Sequence, residues 1–146
     1  MVMTKYRTKW LVEINDKPKL RTYCQFKAVY ECEKYVVYDL SKSQRSLCSQ
    51  FRLGILPLHV ETGRFIGTEL DQRLCSYCEL GEVEDEIHFL LYCPLYHDLR
   101  KTLFDKVHVG LSTDNVLVEY LFENHTFAIS NFIQKAWNRR KHITYT

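Results

Sequence analysis

Four residues have the types and spacing to do chemistry together. Cys75 and Cys78 form a Cys-x2-Cys pair, and His88 and Cys93 follow in the pattern Cys-x2-Cys-x9-His-x4-Cys. Two thiolates from a tight turn, joined by an imidazole and a thiolate from a second element, are the ligands zinc prefers. Three thiolates and a neutral histidine around a divalent cation leave a charge of about −1 and no open coordination position, so the expected site is structural rather than catalytic. His97 offers a competing assignment, in which Cys93-x3-His97 supplies the downstream pair. On a continuous helix, residues five apart point about 140° away from each other, so His88 and Cys93 can share a metal only if the helix ends between them. Pro94 ends it there, because it disfavours helical geometry at Cys93 and has no amide to donate.

The elements that must position these ligands read as helices. Between Leu20 and Leu40, Phe26, Val29, Tyr30, Val36, Val37 and Leu40 recur at helical spacing with Lys27, Glu31 and Lys34 facing away, which predicts one amphipathic helix. Ser41 and Gln44 form a capping-box pattern ahead of a second helix with the stripe Gln44, Leu47, Cys48 and Phe51, stopped by Gly54 and Pro57. No period runs from Leu56 to Arg73, where Thr62-Gly63 and Ile66-Gly67 mark turns, so a loop or short hairpin is expected. The acidic cluster Glu82, Glu84, Asp85 and Glu86 suits the positive end of a short helix reaching no further than Tyr92. Pro94 opens another, carrying Leu95, Leu99, Leu103 and Val107. A final pair covers about 112–123 and 126–142, the latter through Phe127, Ile133, Ala136 and Trp137. With no internal repeat and no set of alternating strands, the fold class is all-α, a single small helical domain over 1–146 with a zinc-knuckle turn inserted at 74–94.

The chain's 146 residues, 46% of them hydrophobic, suffice for a core of its own, so a metal is needed for at most one part of the fold. The longest apolar run, Ile87 to Cys93, contains a histidine and is far too short to span a membrane. Met1 to Trp10 carries Lys5, Arg7 and Lys9 without an apolar h-region, so an intracellular protein, nuclear or cytoplasmic and not secreted, is expected. A reducing compartment turns the six cysteines toward metal binding or burial, and Cys24, Cys32 and Cys48, each alone in a helical pattern, read as small core residues. In the same setting the acceptor pattern Asn124-His-Thr126 is a chance match. The net charge of +2 divides unevenly. Residues up to Arg73 hold 13 basic and 8 acidic side chains and the remainder 7 and 10, which makes the first half the better candidate for a polyanion surface.

The order of motifs adds a resemblance. Arg45-Ser-Leu, Gln50-Phe-Arg-Leu-Gly-Ile-Leu-Pro-Leu58, Glu61-Thr-Gly-Arg-Phe65, Arg73-Leu-Cys-Ser-Tyr-Cys78, Val83-Glu-Asp-Glu-Ile-His-Phe-Leu-Leu-Tyr-Cys93 and Tyr96 before Arg100 resemble the zinc-binding segment that follows the polymerase in reverse transcriptases of non-LTR (LINE-type) retrotransposons. The resemblance runs from about Lys17 to Leu103. It implies a Cys-Cys-His-Cys knuckle in a helical region that helps a reverse transcriptase engage RNA template or target DNA, and it favours His88 over His97 as the third ligand. The chain has no Tyr-x-Asp-Asp polymerase motif and too little sequence before the knuckle for fingers and palm, so it reads as the tail without the enzyme.

The leading functional reading is therefore a non-catalytic, zinc-binding module for RNA or single-stranded DNA, with a reverse transcriptase domain as a further candidate partner. Arg45, Arg52, Arg64 and Arg73 are its candidate phosphate contacts, and Phe65 and Tyr77 its candidate stacking residues. The basic run Arg139-Arg-Lys141 suits the negative end of a terminal helix. A second reading is a zinc-stabilised protein-interaction module whose acidic run meets a basic partner. A third is the remnant of a decayed element that keeps the fold and no role.

Overall fold

The computed structural model describes residues 2–27, 29–108, 110 and 112–144. Among these described residues eight α-helices follow in order: α1 (Val2–Asn15), α2 (Arg21–Phe26), α3 (Lys34–Val37), α4 (Lys42–Leu53), α5 (His59–Phe65), α6 (His97–Phe104), α7 (Asp114–Asn124) and α8 (Thr126–Thr144). Single 3-10 turns lie at Pro18–Leu20, Leu70–Gln72 and Pro94–Tyr96, and a π-helical turn at His88–Tyr92. Among the described residues the extended pairing is limited to one antiparallel bridge, Leu74 to Val83, at the base of the inserted turn. The fold is thus all-α with an inserted Cys/Cys/His/Cys turn.

Helix α4 forms where its local signals place it. The Ser41 hydroxyl accepts from the Gln44 amide at 3.1 Å while the Gln44 side chain accepts from the Ser41 amide at 3.0 Å. At the other end Gly54 takes a left-handed conformation (φ 69°), and a side chain there would collide with Thr22. The buried face of α4, Leu47, Cys48 and Phe51, packs on α8 and α2. Around it an aromatic core links four elements and the π turn: Phe51 stacks near Phe26 (6.2 Å), Phe122 (5.7 Å) and Phe89 (6.4 Å), and Phe89 meets Tyr96 edge-on at 4.8 Å. Such ring pairs add about 0.5–1.5 kcal/mol each beyond their burial. Helices α7 and α8 fall close to the predicted pair.

Three expectations are corrected. The single helix expected over Leu20–Leu40 is two short ones, α2 and α3, with the backbone extended at Lys27 (φ −116°, ψ 109°). Val29, Tyr30, Val36 and Val37 are exposed, whereas Lys27, expected on the outer face, is buried with its ammonium 3.0 Å from Glu33. A buried ion cluster has overridden the apolar stripe. Second, residues 59–65 are helical rather than a loop, and Gly63 sits inside α5 because a Cβ there would come within 2.7 Å of the Arg73 side chain. Third, Cys32 is exposed rather than core, while Cys24 is half-buried, its thiol donating to the Ile14 carbonyl, and Cys48 is fully buried. Helix α1 carries no predicted stripe, and Ile14 is its one buried residue; Trp10 packs against Tyr23 and Tyr30.

Candidate metal centre

The inserted turn starts as a narrow antiparallel loop. Cys75 donates its backbone amide to the Glu82 carbonyl at 2.8 Å, and the Glu84 amide donates to the Arg73 carbonyl at 3.0 Å. Gly81, in a left-handed conformation (φ 68°), reverses the chain between them. The acidic cluster lies partly before the helix it was expected to open: helical backbone begins at Glu86, and Asp85 caps it by accepting the His88 amide at 2.8 Å.

The chain then widens instead of following an α-helix. The Cys93 amide donates to the His88 carbonyl, five residues back, at 2.7 Å. This π-helical closure brings the fifth residue round beneath the first. At Cys93 the backbone leaves helical geometry (φ −59°, ψ 121°) ahead of Pro94, as the proline requires. Both effects turn Cys93 to the side of His88. Arg100 takes up the carbonyls this exit frees, donating to Leu90 and Cys93 at 2.8 Å each.

As a result the ligand atoms of Cys75, Cys78, His88 and Cys93 all lie within 4.8 Å of one another. The Cys78 sulfur is 3.4 Å from His88 Nε2, and the Cys75 and Cys93 sulfurs are 4.0 Å apart. Tetrahedral zinc, with bonds of about 2.3 Å to sulfur and 2.0 Å to nitrogen, separates two sulfurs by about 3.8 Å and sulfur from nitrogen by about 3.5 Å. These two separations are close to those values, the whole set spans no more than 4.8 Å, and the cluster is consistent with a zinc-knuckle-type site. Cys75, His88 and Cys93 are buried. His97 is exposed at the start of α6, outside the cluster.

Protonation within the cluster is strongly biased. Burial opposes a charge on His88, yet hydrogen bonds with Cys75, Glu82 and Cys78 outweigh it and hold the ring up at about 9. The hydrogen bond with Cys93, helped by burial, pushes the Cys75 thiol up to about 12, while the same bond lowers Cys93. Cys75, Cys78, His88 and Cys93 would have to give up these protons to hold a cation. Glu82 Oε2 lies 3.1 Å from His88 Nδ1, which leaves Nε2 to face the sulfurs.

The cluster is tied to the helices through Glu84 and Arg140. These make a buried two-point pair at 2.9 and 3.0 Å, and Glu84 also accepts the His59 amide at 2.8 Å. The Arg140 guanidinium lies over the rings of Tyr77 (4.7 Å) and Trp137 (5.2 Å), and the Tyr77 hydroxyl meets the Thr144 hydroxyl at 2.6 Å. Tyr77 is therefore a packing residue, not a free stacking platform. Glu82, Glu84, Arg100 and Arg140 are not legible in the sequence as site residues. Their one local signal is that carbonyls orphaned before Pro94 need a donor, which Arg100 is.

The four candidate arginines separate. Arg52 is fully buried: its guanidinium donates to the Phe26 carbonyl at 3.3 Å, pairs with Glu33 at 3.3 Å and Glu119 at 3.1 Å, and sits 4.8 Å from the Phe122 ring. It offers no surface to a phosphate. Arg73 lies across Gly63 and donates to the Val60 and Thr68 carbonyls at 2.8 and 2.9 Å. Arg64 is exposed, paired with Glu61 at 2.6 Å and lying 5.1 Å from the ring of Phe65, which is itself 74% exposed. Arg64 and Arg73, with Lys19 and the Glu61 that pairs with Arg64, line one cleft of about 240 Å³, three cations against one carboxylate. Arg45, exposed on α4 two turns from Arg52, donates to the Leu40 carbonyl at 3.0 Å.

Comparison with protein-family models, with curated proteins and with solved structures finds no match to this chain. No helix among the described residues is long and apolar enough to cross a membrane.

Proposed function

We propose that the chain is a zinc-stabilised module that binds single-stranded nucleic acid, similar to the tail of a non-LTR retrotransposon reverse transcriptase and acting by binding rather than catalysis. The observation that carries the reading is the convergence of Cys75, Cys78, His88 and Cys93, whose ligand atoms all lie within 4.8 Å of one another. A structural zinc held by them fixes the turn from which Glu84 reaches α5 and α8. The convergence, with His97 outside it, supports the Cys-Cys-His-Cys ligand set, and the motif order of the sequence supports the retrotransposon likeness. The nucleic-acid face centres on α5, where an exposed aromatic ring beside a guanidinium adjoins a basic cleft, the combination that holds unstacked bases and phosphates. RNA or single-stranded DNA is the partner of that face, and a reverse transcriptase domain is a candidate protein partner within an intracellular setting.

The test is a salt titration with single-stranded RNA, single-stranded DNA and duplex DNA. Arg64→Gln is expected to flatten the slope of log affinity against log salt by about 0.7 for a single strand. Phe65→Ala is expected to weaken binding by about 1–3 kcal/mol with the slope unchanged. Wild-type protein that binds no nucleic acid at low salt rejects the reading. Variants that bind like the wild type reject this face.

A further inference from the structure

A groove between α6 and α8 has no part in the metal site or the α5 face. It holds about 260 Å³; Leu99, Leu103, Ala128 and Phe132 form its apolar wall, and Lys106 and Lys135 stand on its rim. Both lysines are exposed, and no carboxylate lines the groove. Asp98 on α6 is taken up by Arg139 at 2.6 Å. An occupant that matches this groove carries an aliphatic side chain between carboxylates.

The same chain presents such a segment. At the tip of the metal loop Leu80 is 51% exposed, flanked by the exposed Glu79 and by Glu82, whose side chain is 56% exposed although one of its oxygens is held by His88 Nδ1 at 3.1 Å. Gly81, with open space around it, lets the tip project. The loop is held at the far end of α8, where Tyr77 meets Thr144, and nine residues of helix, roughly 13 Å, separate Thr144 from Lys135. Loop and groove therefore belong to opposite ends of α8.

We propose that the α6–α8 groove receives the Glu79–Glu82 loop of a second copy of this chain, Leu80 entering between Lys106 and Lys135. The contact is head-to-tail, since each copy offers a groove at one end and a loop at the other. It is small, hence weak, and its ion pairs make it sensitive to salt. The loop's shape rests on the zinc reading above, so zinc content is measured for every variant.

Sedimentation velocity of the zinc-loaded chain from about 20 to about 500 μM at low salt tests the contact, a range suited to weak association. The wild-type average mass is expected to rise with concentration and to fall back when salt is added. Leu80→Asp and the double variant Lys106→Glu/Lys135→Glu, each retaining one zinc, are expected to stay monomeric. An equimolar mixture of the two is expected to form a dimer and nothing larger, because one variant keeps its groove and the other its loop. Leu80→Ser replaces Leu80→Asp if the aspartate costs the chain its zinc. A monomeric wild type, a single variant that still associates, or a mixture that stays monomeric overturns the proposal. So does a groove variant that loses RNA binding while wild-type protein remains monomeric, an outcome that assigns the lysines to phosphate.

Discussion

Cys78 and His88 approach from opposite arms of one loop, and their 3.4 Å separation makes the histidine's identity testable. His88→Ala is expected to weaken zinc binding by at least a hundredfold, whereas His97→Ala, on the exposed start of α6, leaves it unchanged; competition against a chromophoric chelator measures both. The protons in the cluster set a second expectation. His88 is raised to about 9 and Cys75 to about 12, so both are protonated in the metal-free chain at neutral pH and both must lose that proton to bind a cation. Affinity should therefore rise with pH, by about a hundredfold per unit between pH 6 and 8 if these two protons are displaced. Proton release measured calorimetrically in buffers of different ionisation enthalpy checks it; release of fewer than one proton contradicts it. The ligands are legible in the sequence because cysteine and histidine at this spacing have few structural uses. Arg52 is not, because its burial depends on Glu33 and Glu119, 19 and 67 residues away, and no local pattern announces that an arginine will be enclosed.

At the scale of elements, legibility follows how local the cause is. The capping box of α4, Gly54 at its end, and Pro94 act within a turn or two of themselves, and the helices they bound are where those residues put them. The break after Phe26 has a tertiary cause: Lys27 turns inward to pair with Glu33, and Glu33 in turn pairs with the buried Arg52. Gly63, read as a turn, is a packing glycine, which only the position of Arg73 reveals. The π turn is equally hidden, since Pro94 requires only that the helix end before it. The ion cluster predicts a large effect. Arg52→Met leaves Glu33 and Glu119 without their guanidinium in the interior, where burial already raises the Glu119 carboxyl. Urea unfolding of the zinc-loaded protein should show a loss of about 3–5 kcal/mol. A loss under about 1 kcal/mol would mean that the cluster is hydrated and open.

On the scale of the whole molecule, the inserted turn and the helical core have separate sources of stability. Phe51, Phe89, Phe122 and Phe132 bind α4, α7 and α8 around the π turn through apolar contact, while the loop from Cys75 to Glu82 has few buried groups besides its ligands. Glu84 and Arg140 join the two, so the metal loop is fixed relative to α5 and α8. This division follows from length and composition, which give a chain of 146 residues enough apolar surface to fold without a metal while leaving a short polar loop that cannot. The account depends above all on what surrounds the cation. X-ray absorption at the zinc edge, on protein purified under reducing, chelator-free conditions, measures that directly. One zinc per chain with three sulfurs at about 2.3 Å and one nitrogen at about 2.0 Å is the predicted shell. Protein without zinc, or a shell holding oxygen in place of a sulfur or the nitrogen, would contradict it.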